Sequence, residues 1–165
     1  MKTAVVYYSL EGDTERVAKL IAERTGADLI RVQPVKDIPT QGAGKFIKGG
    51  YQAVFGIKPA LSAPLPDLNI YDAVAVGTPV WAGHCSPAIR AALADASVCG
   101  KDVYLFACCA GGSTDKCLGE LRKLLAGNSI RSAVSFVSPN KTDAAELGQK
   151  VDELCAKIND ISAQA

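Results

Sequence analysis

The chain has 165 residues, 48% of them apolar and 21% charged, the balance of one soluble globular domain with a core of its own. Eighteen lysines and arginines against seventeen aspartates and glutamates leave a formal charge of +1, so no field of either sign recommends nucleic acid or an anionic membrane as partner. No apolar run approaches the length of a bilayer span, and the opening Met1–Tyr8 meets Glu11 and Asp13 too soon for a signal peptide, so a cytoplasmic chain with reduced thiols is expected.

Ala4–Tyr8 is apolar on both faces and reads as a buried strand. Val17, Leu20, Ile21 and Ala22 then recur at helical spacing, and Gly26 closes that helix. Asp28–Val32 forms a second strand. Residues 33–70 are punctuated by prolines and glycines; within them Ile47, Tyr51, Val54 and Phe55 keep helical spacing, which predicts one helix between long loops. Ala73–Val76 is a third strand, and Pro87 opens a helix carrying Ile89 and Leu93. Val103–Ala107 is followed by a helix with Leu118, Leu121 and Leu125, and Ala133–Val137 is the last strand. Asp143 with Glu146 three residues on forms a capping box for a final helix that packs through Leu147, Val151, Leu154 and Ile158. Five buried strands alternating with helices predict an α/β domain over the whole chain, a three-layer doubly wound parallel sheet.

In such a sheet, ligands sit outside the carboxyl ends of the strands. Three loops follow those ends. Ser9-Leu10-Glu11-Gly12-Asp13-Thr14 runs straight into a helix: its hydroxyls, glycine and helix N-terminus suit a phosphate, and equally suit an ordinary cap by Asp13 or Thr14. The second loop, Gly77-Thr78-Pro79-Val80-Trp81-Ala82-Gly83-His84-Cys85-Ser86-Pro87, places the only tryptophan outside a strand, where its plane could stack on a flat heterocycle. The third, Cys108-Cys109-Ala110-Gly111-Gly112-Ser113-Thr114-Asp115, has paired glycines that let backbone approach a ring edge, or is a flexible turn with Thr114 capping the next helix.

Ser9-x-x-Gly12-x-Thr14 is similar to the phosphate loop of flavodoxins, and Gly77-Thr78-Pro79-Val80-Trp81-x-Gly83 resembles the loop that holds their isoalloxazine ring. The resemblance runs from Thr3 to about Ile158. It implies the flavodoxin-like strand order 2-1-3-4-5 and FMN as cofactor. The phosphate would lie on Ser9–Thr14, and the ring on Thr78–Gly83 and on Cys109, Ala110, Gly111 and Gly112. Glu11 and Asp13 stand where the family more often has Thr and Asn. Two carboxylates beside a phosphate dianion repel it unless their side chains turn outward. The Lys45–Leu61 stretch, with Gly49-Gly50 and Lys58-Pro59, also looks like that of short-chain members of the family.

That resemblance implies an electron carrier exchanging electrons with redox partner proteins, as a monomer or homodimer. Two other readings stay open: an FMN-dependent NAD(P)H:quinone oxidoreductase, and a binding module of the same fold without flavin. Carriers of this family are usually acidic, and this chain is neutral. The spacing of Cys85 and Arg90 does not fit a phosphatase loop, and neither a G-x-S-x-G elbow nor a G-x-x-x-x-G-K-[ST] loop occurs. The six cysteines contain no C-x-x-C pair, and no metal site is expected. His84 is either a proton relay or a solvated loop residue. Cys85 and Cys108-Cys109 are redox thiols or, as small hydrophobes, core residues. Lys45, Lys48 and Lys58 form a mild basic face or plain solvated surface. No residue is assigned as catalytic.

Overall fold

The computed structural model describes residues 1–38, 50–51 and 53–160. Its elements are β1 (Thr3–Tyr7), α1 (Asp13–Thr25), β2 (Asp28–Arg31), a 3-10 turn (Leu68–Ile70), β3 (Ala73–Trp81), β4 (His84–Cys85), α2 (Pro87–Asp95), β5 (Asp102–Cys109), α3 (Asp115–Leu124), β6 (Ser129–Val137) and α4 (Ala144–Asp160). Five strands pair in parallel in the order β2-β1-β3-β5-β6, and β4 attaches antiparallel to β3. The doubly wound topology expected from the alternating pattern is therefore present, with one short strand added.

The period of two along β1 sends its side chains to both faces. Ala4, Val6 and Tyr8 join a core with Ile89 and Leu93 of α2 and Leu118 and Leu121 of α3. Val5 and Tyr7 join a second core with Val17 and Ile21 of α1 and Leu147, Val151, Leu154 and Ile158 of α4. Each helix thus buries the apolar stripe that its sequence presents. At Gly77 an added Cβ would stand 2.1 Å from Phe106 Cζ, so β3 and the Phe106 ring meet only because that residue has no side chain. Asp143 caps α4, its Oδ1 accepting from Ala145 N at 2.9 Å and Glu146 N at 3.3 Å.

Several boundaries differ from the sequence reading. β3 does not stop at Val76 but runs on to Trp81 and returns through β4. The turn is a two-residue one, Ala82 at φ 49° and Gly83 at φ 82°, the left-handed pair whose twist suits a tight hairpin. β5 likewise extends through Cys108 and Cys109. Gly12, at φ 94°, is the residue before α1, and neither Asp13 nor Thr14 caps it. Thr114 precedes α3 without a capping bond, its hydroxyl paired instead with Ser135 Oγ.

The base of the 33–70 excursion is pinned by Val35 N to Ala60 O and Ser62 N to Gln33 O, both 2.8 Å. Gly50, Tyr51, Ala53 and Val54 are helical, in keeping with the predicted helix. Ile47, Lys45 and Lys48 lie outside the described residues. Among the described residues, no helix is long and apolar enough to cross a membrane.

Candidate functional site at the carboxyl edge

The ends of β1, β3 and β5 surround a cavity of about 320 Å³ at the carboxyl edge of the sheet. The first loop contributes Ser9, Leu10, Glu11, Asp13 and Thr14; β3 and its turn contribute Pro79–Ala82; the end of β5 and the residue after it contribute Cys108, Cys109 and Ala110. Gly50 closes the outer side, a residue that loop position in the sequence did not single out. Its backbone comes close enough that a Cβ there would lie 3.8 Å from that of Ala82.

At the closed end, Thr14 Oγ1 is fully buried and has no hydrogen-bond partner. Its neighbour is the Cys108 thiol, a weak partner at best. α1 starts beside it without a side-chain cap, which leaves the positive end of the helix dipole open to an anion. Ser9 Oγ accepts Gly12 N at 3.1 Å and so shapes the loop. Asp13 Oδ1 accepts Asn140 N at 2.8 Å, which directs that carboxylate to the loop after β6. Arg31 donates to Ser9 O at 3.2 Å and to Glu15 at 3.0 Å. Glu15 also pairs with Lys19, whose hydrogen bond is the main reason its carboxyl is held below the usual range.

On the opposite wall, Trp81 packs edge-on against Tyr8, ring centroids 5.7 Å apart and planes at 88°. Tyr8 is buried and donates to Asp37 Oδ1 at 2.5 Å. Burial first, then that bond, pushes its hydroxyl far above its ordinary value, so it stays protonated behind the tryptophan. The hairpin carrying Trp81 is gripped from α3. Glu120 Oε2 accepts Cys85 N at 3.0 Å, Oε1 pairs with His84 Nδ1, and Arg90 reaches Oε2 at 3.4 Å. Arg90 also donates to Ala53 O at 3.1 Å, which ties the segment next to Gly50 into the same cluster. Burial alone would raise the Glu120 carboxyl, but the bonds from Cys85 and His84 outweigh it and hold it below its usual range.

The structure thus gathers most of the expected residues and leaves five off the cavity wall. Gly12 and Gly83 form the turns behind it. Thr78 is buried and exchanges bonds with Ser86, accepting from Ser86 N at 2.9 Å, where it braces the start of α2. Gly111 and Gly112 lie beyond Ala110, outside the lining. His84 is held by Glu120 rather than solvated. All six cysteines are free, and burial pushes the thiols of Cys85 and Cys108 up to about 11 and about 12, so neither is a thiolate at neutral pH. Nothing local in the sequence marks Asn140 and Arg16, which lock the first loop through contacts 127 and 123 positions long.

A doubly wound sheet with a cavity at its carboxyl edge, an open helix N-terminus at one end and an aromatic wall at the other defines a flavodoxin-like protein. The flavodoxin family model matches residues 2–146, and the chain belongs to that family. Among solved structures, it is similar to a flavoprotein candidate from Bacteroides eggerthii, with TM-score 0.73 and 22% identity over 93% of this chain and 97% of that one. A flavoprotein from Lactobacillus acidophilus, solved in complex with FMN, aligns with TM-score 0.70 and 22% identity over 81% and 92% of the two chains. Flavodoxin 2 from Bacillus cereus aligns with TM-score 0.66 and 16% identity over 97% and 99%. At these identities the likeness is one of fold. Among curated proteins none matches the chain significantly.

Proposed function

We propose that the chain binds FMN at the carboxyl edge of its sheet and serves as an electron carrier to redox partner proteins. The observation that carries the cofactor reading is Thr14 Oγ1, buried and unpartnered at the open start of α1. A buried hydroxyl with only a thiol beside it calls for a partner, and a bound phosphate would supply one. Thr14 and the first amides of α1 would hold the phosphate, with Ser9 and Gly12 fixing the loop. Trp81, backed by Tyr8, would stack on the ring, and the backbone of Cys109 and Ala110 would meet its polar edge. FMN, when bound, supplies the redox chemistry. The protein sets orientation, excludes water and contributes no thiolate of Cys85 or Cys108. The FMN complex of the similar Lactobacillus protein supports the same cofactor.

We favour the carrier over an NAD(P)H:quinone reductase on the match to the flavodoxin family. Among the described residues, the next cavity beside Trp81, near Asp37, holds only about 10 Å³. The larger one, about 550 Å³, is lined by Pro59–Leu61, Pro64–Asn69 and the far end of α2, at the opposite edge of the sheet. The test is a titration of flavin-free protein with FMN, followed by flavin and Trp81 emission. Saturable one-to-one quenching is expected. No quenching at micromolar protein overturns the cofactor reading and leaves a binding module. Steady NADPH oxidation with a quinone by the loaded protein would assign the reductase instead.

A further inference from the structure

Asp13 sits at the mouth of the anion site, where simple electrostatics makes it a liability. Its contacts give it another task. The chain leaves β6 through Ser138, a left-handed residue at φ 42°, whose N–H bonds Cys109 O at 2.8 Å. A tight turn follows, closed by Lys141 N to Ser138 O at 2.8 Å and Thr142 Oγ1 to Val137 O at 3.0 Å. The tip of this turn docks three times on the first loop and the first turn of α1. Asn140 N donates to Asp13 Oδ1 at 2.8 Å, Asn140 Nδ2 to Glu11 O at 3.3 Å, and Arg16 Nη1 to Pro139 O at 2.5 Å. Residues 138–142 therefore span from the end of β5, where Cys109 lines the cavity, to the loop that would hold the phosphate.

We propose that this turn is a brace fixing the separation of the phosphate loop and the ring wall, and that Asp13 is a positioning residue whose carboxylate anchors it. The inference rests on the FMN reading above. Asn140 is the complementary part: its backbone satisfies Asp13, and its side chain holds the carbonyl of Glu11, which orients the peptide just before Gly12. The negative charge beside the anion is tolerated because the carboxylate is engaged by an N–H outside the cradle. Its cost in repulsion is offset by the order it imposes on both walls.

The brace predicts opposite signs for two substitutions at one position. Asp13→Ala removes the repelling charge and the anchor together, and should weaken FMN binding by roughly fivefold or more, the size of one lost hydrogen bond. Asp13→Asn keeps an Oδ1 acceptor while deleting the charge, and should tighten binding by roughly two- to fivefold, a screened charge effect. Amide exchange in the flavin-free proteins supplies the readout independent of FMN. The Asn140 N–H should exchange faster in Asp13→Ala and stay protected in Asp13→Asn. If both variants bind FMN more tightly, Asp13 acts by charge alone and the brace is overturned. If both bind more weakly, the anchor needs the charge and the proposal also falls. If the unaltered protein fails to bind FMN while its Asn140 amide is protected by Asp13, the cofactor reading has failed and the brace survives as structure.

Discussion

A buried hydroxyl without a hydrogen bond costs a fold about 1–3 kcal/mol, and Thr14 Oγ1 is such a group. Its retention opposes stability to binding at one atom. Thr14→Val preserves the shape and removes the hydroxyl. The flavin-free variant should gain about 1 kcal/mol in urea unfolding, and its affinity for FMN should fall by about 1–2 kcal/mol. Both shifts are read from denaturation curves and FMN titrations on the same preparation. An unchanged dissociation constant would remove Thr14 from the site. The conflict was half legible beforehand: Thr14 stood out by its place after a strand, but only burial separates a ligand hydroxyl from an ordinary cap.

At the scale of elements, the β3–β4 hairpin depends on a residue 35 positions away. Ala82 holds a positive φ that glycine would accept more readily, and the grip of Glu120 on Cys85 and His84 keeps the turn closed. Because the Glu120 carboxyl is held below its ordinary value of 4.5, its contribution is complete above that value. That contribution is lost as the pH falls from there through the lower value of the folded state. Urea midpoints measured between neutral pH and pH 3 should therefore drop more steeply for the unaltered protein than for Glu120→Gln. Glu120→Ala should cost about 1–3 kcal/mol at neutral pH and shift Trp81 emission, because the lone tryptophan reports the hairpin directly. Parallel slopes for the first pair would show that the cluster does not depend on the Glu120 charge.

For the whole molecule, the two cores on either face of the sheet set a stability to which a ligand adds by mass action. FMN at a hundredfold excess over its dissociation constant should add about 2.7 kcal/mol and raise the melting temperature by roughly 5–10 °C. Riboflavin has the ring without the phosphate, and should shift melting less at the same concentration. Equal shifts would place the affinity in the ring pocket and not at α1. Differential scanning calorimetry at several flavin concentrations reads both.

The order of elements and the faces they bury were legible in the chain itself, because periods of 2 and 3.6 and residues such as Gly26 and Asp143 act locally. The parallel sheet followed from that alternation, and the position of three loops followed from the sheet. What no local pattern carries is the closure of the site. Trp81 lies in a strand and not a loop because β3 finds a partner in His84–Cys85. Thr78 is turned into the protein by Ser86, and the Asp13 carboxylate at the cavity mouth is held by Asn140 N. Asn140 reaches Asp13 across 127 positions, and the hairpin, though short in sequence, is held from α3 by Glu120, 35 positions from Cys85. The fold is thus written in short-range patterning, whereas the shape and polarity of the cavity belong to long-range contacts.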